Sequence, residues 1–245
     1  MLQNFTLYVE TDYQAMSKKA AEIFAGAVKA NPNGAFGFAT GSTPEGMYAE
    51  LTRMHKNGEV NLSGIKGFNL DEYYPIRKND PNSYYSYMRK HLYDAVGLPP
   101  ENAFIPNGEA EDPIKECTSY EIKLYQSGGI DTQILGIGTN GHIGFNEPAE
   151  GLHPTTVYVP LAMETIESNS KNFASQDDIP FHAITMGMHS IMMAKRIILL
   201  ASGVNKANIM HKALYGPITT QVPASLLQLH RDVTVITDSQ AASLI

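Results

Sequence analysis

The chain has 245 residues, a formal net charge of −7 and a single cysteine. Its length suits one full α/β core. The charge and the lack of any Lys/Arg block argue against a nucleic-acid partner, and one cysteine excludes an internal disulfide and fits a reducing cytoplasm. Residues 6–9 read as a strand, and Thr11 or Asp12 can cap the amphipathic helix that runs on through residue 24. Residues 35–39 form a buried apolar strand leading into Thr40-Gly-Ser-Thr-Pro44, with Pro44 placed for the first helical position. A further strand ends at residue 70, before the polar loop Asp71-Glu-Tyr-Tyr-Pro75. Asn82 or Ser83 can cap a helix to residue 93, and Asp112-Pro113 opens the next. Residues 130–137, 183–186, 196–201 and 233–236 read as strands, with helices over 206–214 and 224–229.

This alternation predicts an α/β fold, a mostly parallel sheet with helices on both faces. No linker, internal repeat or low-complexity tract interrupts it, so residues 1–245 are expected to form one domain. No apolar run approaches the roughly 18 residues of a membrane span. The first residues lack the basic-then-apolar order of a signal peptide, so neither membrane nor export is expected. Cys117 sits in a helix-like stretch and reads as packing. No Cys/His cluster has zinc-ligand spacing, so no metal is expected.

Chemistry concentrates in Leu135-Gly-Ile-Gly-Thr-Asn-Gly-His-Ile-Gly-Phe-Asn-Glu-Pro148. Glycines let a backbone turn sharply and approach a ligand closely, and a histidine and a carboxylate at a strand end are placed for proton transfer. Gly136, Gly138 and Gly141 match the dinucleotide pattern, but Gly144 and Pro148 disfavour the helix that the pattern must open, and no ribose-binding acid follows. The loop Thr40-Gly-Ser-Thr43, feeding a helix N-terminus, suits an anion and above all a phosphate. Its plain alternative is an ordinary Ser/Thr cap. Gly203-Val-Asn-Lys206 is a second phosphate candidate, its lysine supplying a point charge. Asp71, partly desolvated at a pocket lip, suits a general base on a carbon acid. The surrounding tyrosines read as helix packing and pocket walls. In doubly wound folds ligands bind beyond the carboxyl ends of the strands, so these loops are expected to converge. The reaction class this suggests is proton abstraction next to a carbonyl or imine of a phosphorylated sugar.

The segments Phe38-Ala-Thr-Gly-Ser-Thr-Pro44, Asn69-Leu-Asp-Glu-Tyr73, Asn82-Ser-Tyr-Tyr85, Phe104-Ile-Pro-Asn-Gly108, Gly138 to Pro148 and Pro223-Ala-Ser-Leu-Leu-Gln-Leu-His230 resemble the glucosamine-6-phosphate deaminase (isomerase) family, nearly end to end. The resemblance implies an α/β fold with a doubly wound, mostly parallel Rossmann-like sheet, and a cofactor-free conversion of a phosphorylated amino sugar, glucosamine 6-phosphate, to fructose 6-phosphate and ammonia. It implies that His142 opens the sugar ring, that Glu147 and Asn140 orient and tune it, and that Asp71 moves the proton from C2 to C1. Gly41, Ser42, Thr43 and Lys206 would hold the phosphate, with Glu72 and Lys171 as further substrate-binding positions. Many members carry aspartate at the position of Asn140, and many have an arginine where this chain has Lys171, which keeps the charge but loses bidentate geometry. The stretch after the Asn-Glu-Pro segment lacks the basic residues of the allosteric members and the chain ends at Ile245. No activation by N-acetylglucosamine 6-phosphate is therefore expected, and a monomer or small homo-oligomer is. A galactosamine-6-phosphate deaminase, a 6-phosphogluconolactonase-type hydrolase and a non-catalytic sugar-phosphate sensor are the alternatives.

Overall fold

A computed structural model describes residues 5–163, 166 and 179–245. Seven strands form a sheet in the order β1 (Phe5–Glu10), β10 (Val233–Asp238), β9 (Arg196–Ala201), β6 (Thr132–Leu135), β2 (Ala35–Phe38), β3 (Lys66–Asn69) and β5 (Ala103–Phe104). Every neighbouring pair in it is parallel. β2, β6 and β10 are buried at every position, as expected of strands covered on both faces. From β2 the chain adds β3 and β5 on one side. It then returns to β6 and adds β9 and β10 on the other. With right-handed crossovers, that reversal sends the connecting helices to opposite faces and leaves a crevice where it occurs. The crevice lies at the carboxyl ends of β2 and β6.

Helix α1 (Tyr13–Ala30) is capped by Asp12, whose carboxylate accepts from the Ala15 N–H at 2.9 Å. It buries Met16, Ala20, Ala21, Phe24 and Val28, a stripe at helical spacing. Phe24 meets Phe36 and Phe38 of β2, and Phe38 meets Tyr48 of α2 (Glu45–Lys56) and Tyr93, with ring centroids 5.2–6.0 Å apart. Ser83 caps the short α3 (Tyr84–Met88), which continues as a π-helical turn to Tyr93, so the helix expected through residue 93 changes pitch partway. Asp112 and Pro113 open α4 (Pro113–Gln126) in the expected order. Buried Cys117 lies on it, and burial pushes its thiol up to about 11. Later come α5 (Met188–Met192) and α6 (Ala207–Tyr215), and the segment expected to be helical near residue 224 is a 3₁₀ turn over Pro223–Leu229. Pro44 falls one residue earlier than expected, as the cap rather than the first helical position. No helix among the described residues is long and apolar enough to cross a membrane.

One expectation is corrected. Residues 71–74 are not a free loop: β4 (Asp71–Tyr74) pairs antiparallel with β8 (His182–Thr185), which pairs antiparallel with β7 (Val157–Pro160). The partner lies more than a hundred residues away in the chain, so no local pattern announces the pairing. This second sheet covers a small core of Tyr73, Ile76, Phe145, Leu161 and Ala183.

Candidate active site

A cavity of about 820 Å³ opens at the crevice. Gly41, Ser42 and Thr43 from the turn after β2, Asp71 from the step after β3, His142 from the turn after β6, and Lys206 from the turn after β9 all lie on its wall. Four separate strand ends thus supply one site, as the doubly wound topology requires.

Buried tyrosines hold two of those strand ends. Tyr48 Oη donates to the Ala39 carbonyl at 2.6 Å and accepts from the Ala39 N–H at 3.2 Å, fixing the exit of β2. Tyr120 Oη donates to the Asn69 carbonyl at 2.6 Å and Tyr93 Oη to Asn69 Oδ1 at 2.7 Å, fixing the exit of β3. The turn after β2 then enters α2 with Gly41 at φ 98°, a region that glycine adopts freely. The backbone N–H groups of Gly41, Ser42 and Thr43 and the hydroxyls of Ser42 and Thr43 have no hydrogen-bond partner among the described residues. Free donors in a turn that leads into a twelve-residue helix suit an anion.

Lys206 adds a cation to this wall. Its Nζ donates to the Ile137 carbonyl at 2.7 Å, and burial lowers its pKa. Its turn is anchored from β10, where Asp238 accepts from the Gly203 N–H at 2.9 Å and the Ser202 hydroxyl at 2.5 Å.

Strand alternation separates the two carboxylates of β4. Successive side chains point to opposite faces, so Asp71 and Tyr73 reach the cavity while Glu72 turns away from it. Asp71 is 5% exposed, and its carboxyl has no hydrogen-bond partner among the described residues. Burial, then the nearby charge of Glu72, pushes its pKa up to about 8. Glu72 is 2% exposed, and its oxygens accept from the N–H groups of Tyr73, Tyr84 and Tyr85 at 2.8–2.9 Å. Burial raises its pKa to about 7 while those three amides pull it down. Glu72, expected as a substrate contact, thus spends both oxygens on backbone amides and holds the start of α3. Lys171 lies outside the described residues.

The glycine-rich turn organises a histidine and a carboxylate. Glu147 Oε2 lies 3.1 Å from His142 Nδ1 and accepts from Asn140 Nδ2 at 2.7 Å, while Asn140 Oδ1 accepts from the His142 N–H at 3.1 Å. An ionised carboxylate can only accept, so Nδ1 carries the hydrogen and Nε2 is left as the basic nitrogen. Asn140 and Glu147 are not on the cavity wall; they act on it through His142. Gly138 must lack a side chain, because a Cβ there would stand 2.4 Å from the imidazole ring.

Tyr84 and Tyr87, read from sequence as helix packing and pocket wall, line the cavity, and His91 lines it beside them. Tyr13 meets the turn after β2 through the Ser42 carbonyl. Only three-dimensional proximity marks Tyr13 and His91, since no spacing relates them to the motifs.

Fold and site together define an α/β protein built to hold an anionic small molecule between a buried carboxyl and a carboxylate-oriented histidine. Residues 10–236 match the family model described as glucosamine-6-phosphate isomerases/6-phosphogluconolactonase, and the chain belongs to that family. It is 52% identical to the glucosamine-6-phosphate deaminase of Halothermothrix orenii, covering 97% of this chain and 98% of that one. It is 50% identical to that of Alkaliphilus oremlandii, covering 98% and 99%. Among solved structures, a monomeric glucosamine-6-phosphate deaminase superposes with a TM-score of 0.94 at 43% identity, covering 98% of this chain and all of the other. The 6-phosphogluconolactonase of Trypanosoma cruzi superposes with a TM-score of 0.78 at 19% identity over 97% and 96%, a likeness of fold.

Proposed function

We propose that this chain is a glucosamine-6-phosphate deaminase, converting glucosamine 6-phosphate and water to fructose 6-phosphate and ammonia. The observation that carries the reading is Asp71: a carboxyl 5% exposed on the cavity wall, pushed by burial up to about 8, with no cation among the described residues within hydrogen-bond reach. Such a group is costly to bury unless it does chemistry, and lactone hydrolysis has no carbon proton to remove. The near-complete coverage of deaminases at about half identity supports the same reading.

In this mechanism Ser42, Thr43, the Gly41 amide and Lys206 hold the phosphate and fix the sugar at one end. His142 Nε2 takes the proton of the C1 hydroxyl and delivers a proton to the ring oxygen, opening the ring. Glu147 stabilises the imidazolium formed on the way, and Asn140 holds Glu147 in place by a neutral hydrogen bond. Asp71 removes the C2 proton of the open-chain ammonium aldehyde while one ammonium proton passes to the C1 oxygen, giving a neutral enolamine, and Asp71 returns its proton at C1. The resulting C2 iminium adds water and, after proton transfer from that water to nitrogen, expels ammonia as the ammonium ion, leaving the ketose phosphate. Each proton removed is returned, so the scheme needs no redox partner.

The chain acts as one domain and as a monomer in this reading, by analogy with the monomeric relative; light scattering across a concentration series checks it, and a concentration-dependent mass would contradict it. The test of the activity is ammonia release from glucosamine 6-phosphate and galactosamine 6-phosphate, assayed side by side. Release from the first alone is expected. Release from the second alone assigns the other epimer, and 6-phosphogluconolactone hydrolysis without ammonia release would replace the proposal.

A further inference from the structure

Two tyrosine hydroxyls hold the carbonyl side of the turn after β2. Tyr13, the first residue of α1, donates to the Ser42 carbonyl at 2.9 Å and accepts from the Gly46 N–H at 2.8 Å. Tyr87, on α3, donates to the Gly41 carbonyl at 2.7 Å. Both peptides are trans, the one cis bond among the described residues being Tyr74-Pro75. In a trans peptide the C=O and the N–H of one unit point in opposite directions. The Gly41 carbonyl shares its unit with the Ser42 N–H, and the Ser42 carbonyl with the Thr43 N–H. Fastening the two carbonyls therefore aims these two amides away from the tyrosines.

Those are the amides that have no hydrogen-bond partner among the described residues. Without the hydroxyls little would keep them aimed. Gly41 has φ 98°, and glycine rotates freely enough for its peptide to flip and present a carbonyl where an anion needs a donor. α2 itself begins only at Glu45, and Pro44 brings no side-chain cap. Tyr13 bridges the two ends of the turn, since its one oxygen serves both Ser42 and Gly46. Tyr87 is kept in place by stacking on His91 at 4.3 Å between ring centroids.

We infer that Tyr13 and Tyr87 are positioning residues for phosphate: each hydroxyl locks one peptide of the turn so that its amide faces the anion. The inference rests on the turn being the phosphate site, as proposed above.

The experiment uses the Tyr13→Phe and Tyr87→Phe variants, which keep the ring and remove only the oxygen. Competitive inhibition by inorganic phosphate is measured with KM and kcat for glucosamine 6-phosphate. Losing one aiming hydrogen bond worth about 1 kcal/mol is expected to raise the phosphate inhibition constant about fivefold. KM should rise in parallel, with a smaller fall in kcat. A purely structural role would lower the unfolding temperature without moving the inhibition constant. Wild-type protein inhibited by phosphate, with both variants inhibited equally well, would overturn the positioning role alone. Wild-type protein indifferent to phosphate would overturn the phosphate site and the inference with it. The two variants lie on different helices, so either suffices if the other does not fold.

Discussion

At the scale of single residues, Asp71 separates chemistry from stability. Its carboxyl keeps its proton to about pH 8 in the folded chain, against an ordinary value of 3.8. The folded state therefore binds more protons than the unfolded state between those values, and stability falls as pH rises through that window. Asp71→Asn should be more stable than the wild type near pH 8, by on the order of a few kcal/mol, and the difference should vanish below about pH 4. The same variant should lose ammonia release and C2 proton exchange by at least roughly a thousandfold. Calorimetry and deuterium exchange check the two halves separately. As the active base is the ionised form, kcat/KM should climb with pH and level off above an inflection near 8; a flat profile from pH 6 to about 9 would remove Asp71 as the base. Gly138→Ala places a Cβ into the His142 ring and should reduce kcat while leaving inhibition by phosphate close to wild type; equal loss of both would point to general unfolding of the turn.

At the scale of elements, β4 and α3 depend on each other through Glu72. Three backbone amides converge on one carboxylate, so Glu72→Gln, with a single acceptor oxygen, strands at least one donor. A loss of about 1–3 kcal/mol is expected in urea unfolding, together with a rise in KM, because α3 carries Tyr84 and Tyr87 to the cavity wall. Unchanged stability would show the ion to be dispensable there. The caps at Asp12, Ser83 and Asp112 were legible because capping is local chemistry: a side-chain oxygen reaches an amide two or three residues on. β4 was not, and Asp71 to Tyr74 read as a polar loop. Its strand character comes from pairing with β8, register Asp71 to Thr185, which only the folded chain supplies. The same pairing sets where Glu72 points: alternation along a strand turns it from the cavity, whereas a loop imposes no such rule.

At the scale of the molecule, the reversal of strand order between β2 and β6 sets the site. It brings Gly41, Asp71, His142 and Lys206 onto one wall although they span most of the chain. The chain carries a net charge of −7, so an anionic substrate is held by local donors against the general field. A bound anion engages several strand ends at once, and inorganic phosphate should therefore raise the unfolding temperature. The increment should follow free phosphate as a single-site binding curve, worth about 2.7 kcal/mol at a hundredfold excess over its dissociation constant. A scan insensitive to phosphate but sensitive to sulfate and chloride alike would indicate ionic strength rather than a site.

The sequence by itself determined the α/β alternation, most helix starts, the donor-rich turn of residues 40–43 ahead of a helix and the pairing of a histidine with a carboxylate in one glycine-rich turn. Each of these depends on neighbours within a few residues: apolar periodicity, capping oxygens, glycines before a helix. The tertiary structure decided which of those groups face one another. It placed Glu147 on His142 Nδ1, buried Asp71 with no hydrogen-bond partner among the described residues, turned Glu72 toward the backbone of α3, and brought Tyr13 onto the carbonyl of Ser42 and Tyr87 onto that of Gly41. Contacts such as that of Tyr87 with Gly41, across forty-six residues, follow from strand order and pleat direction, and these are settled by how the whole core packs.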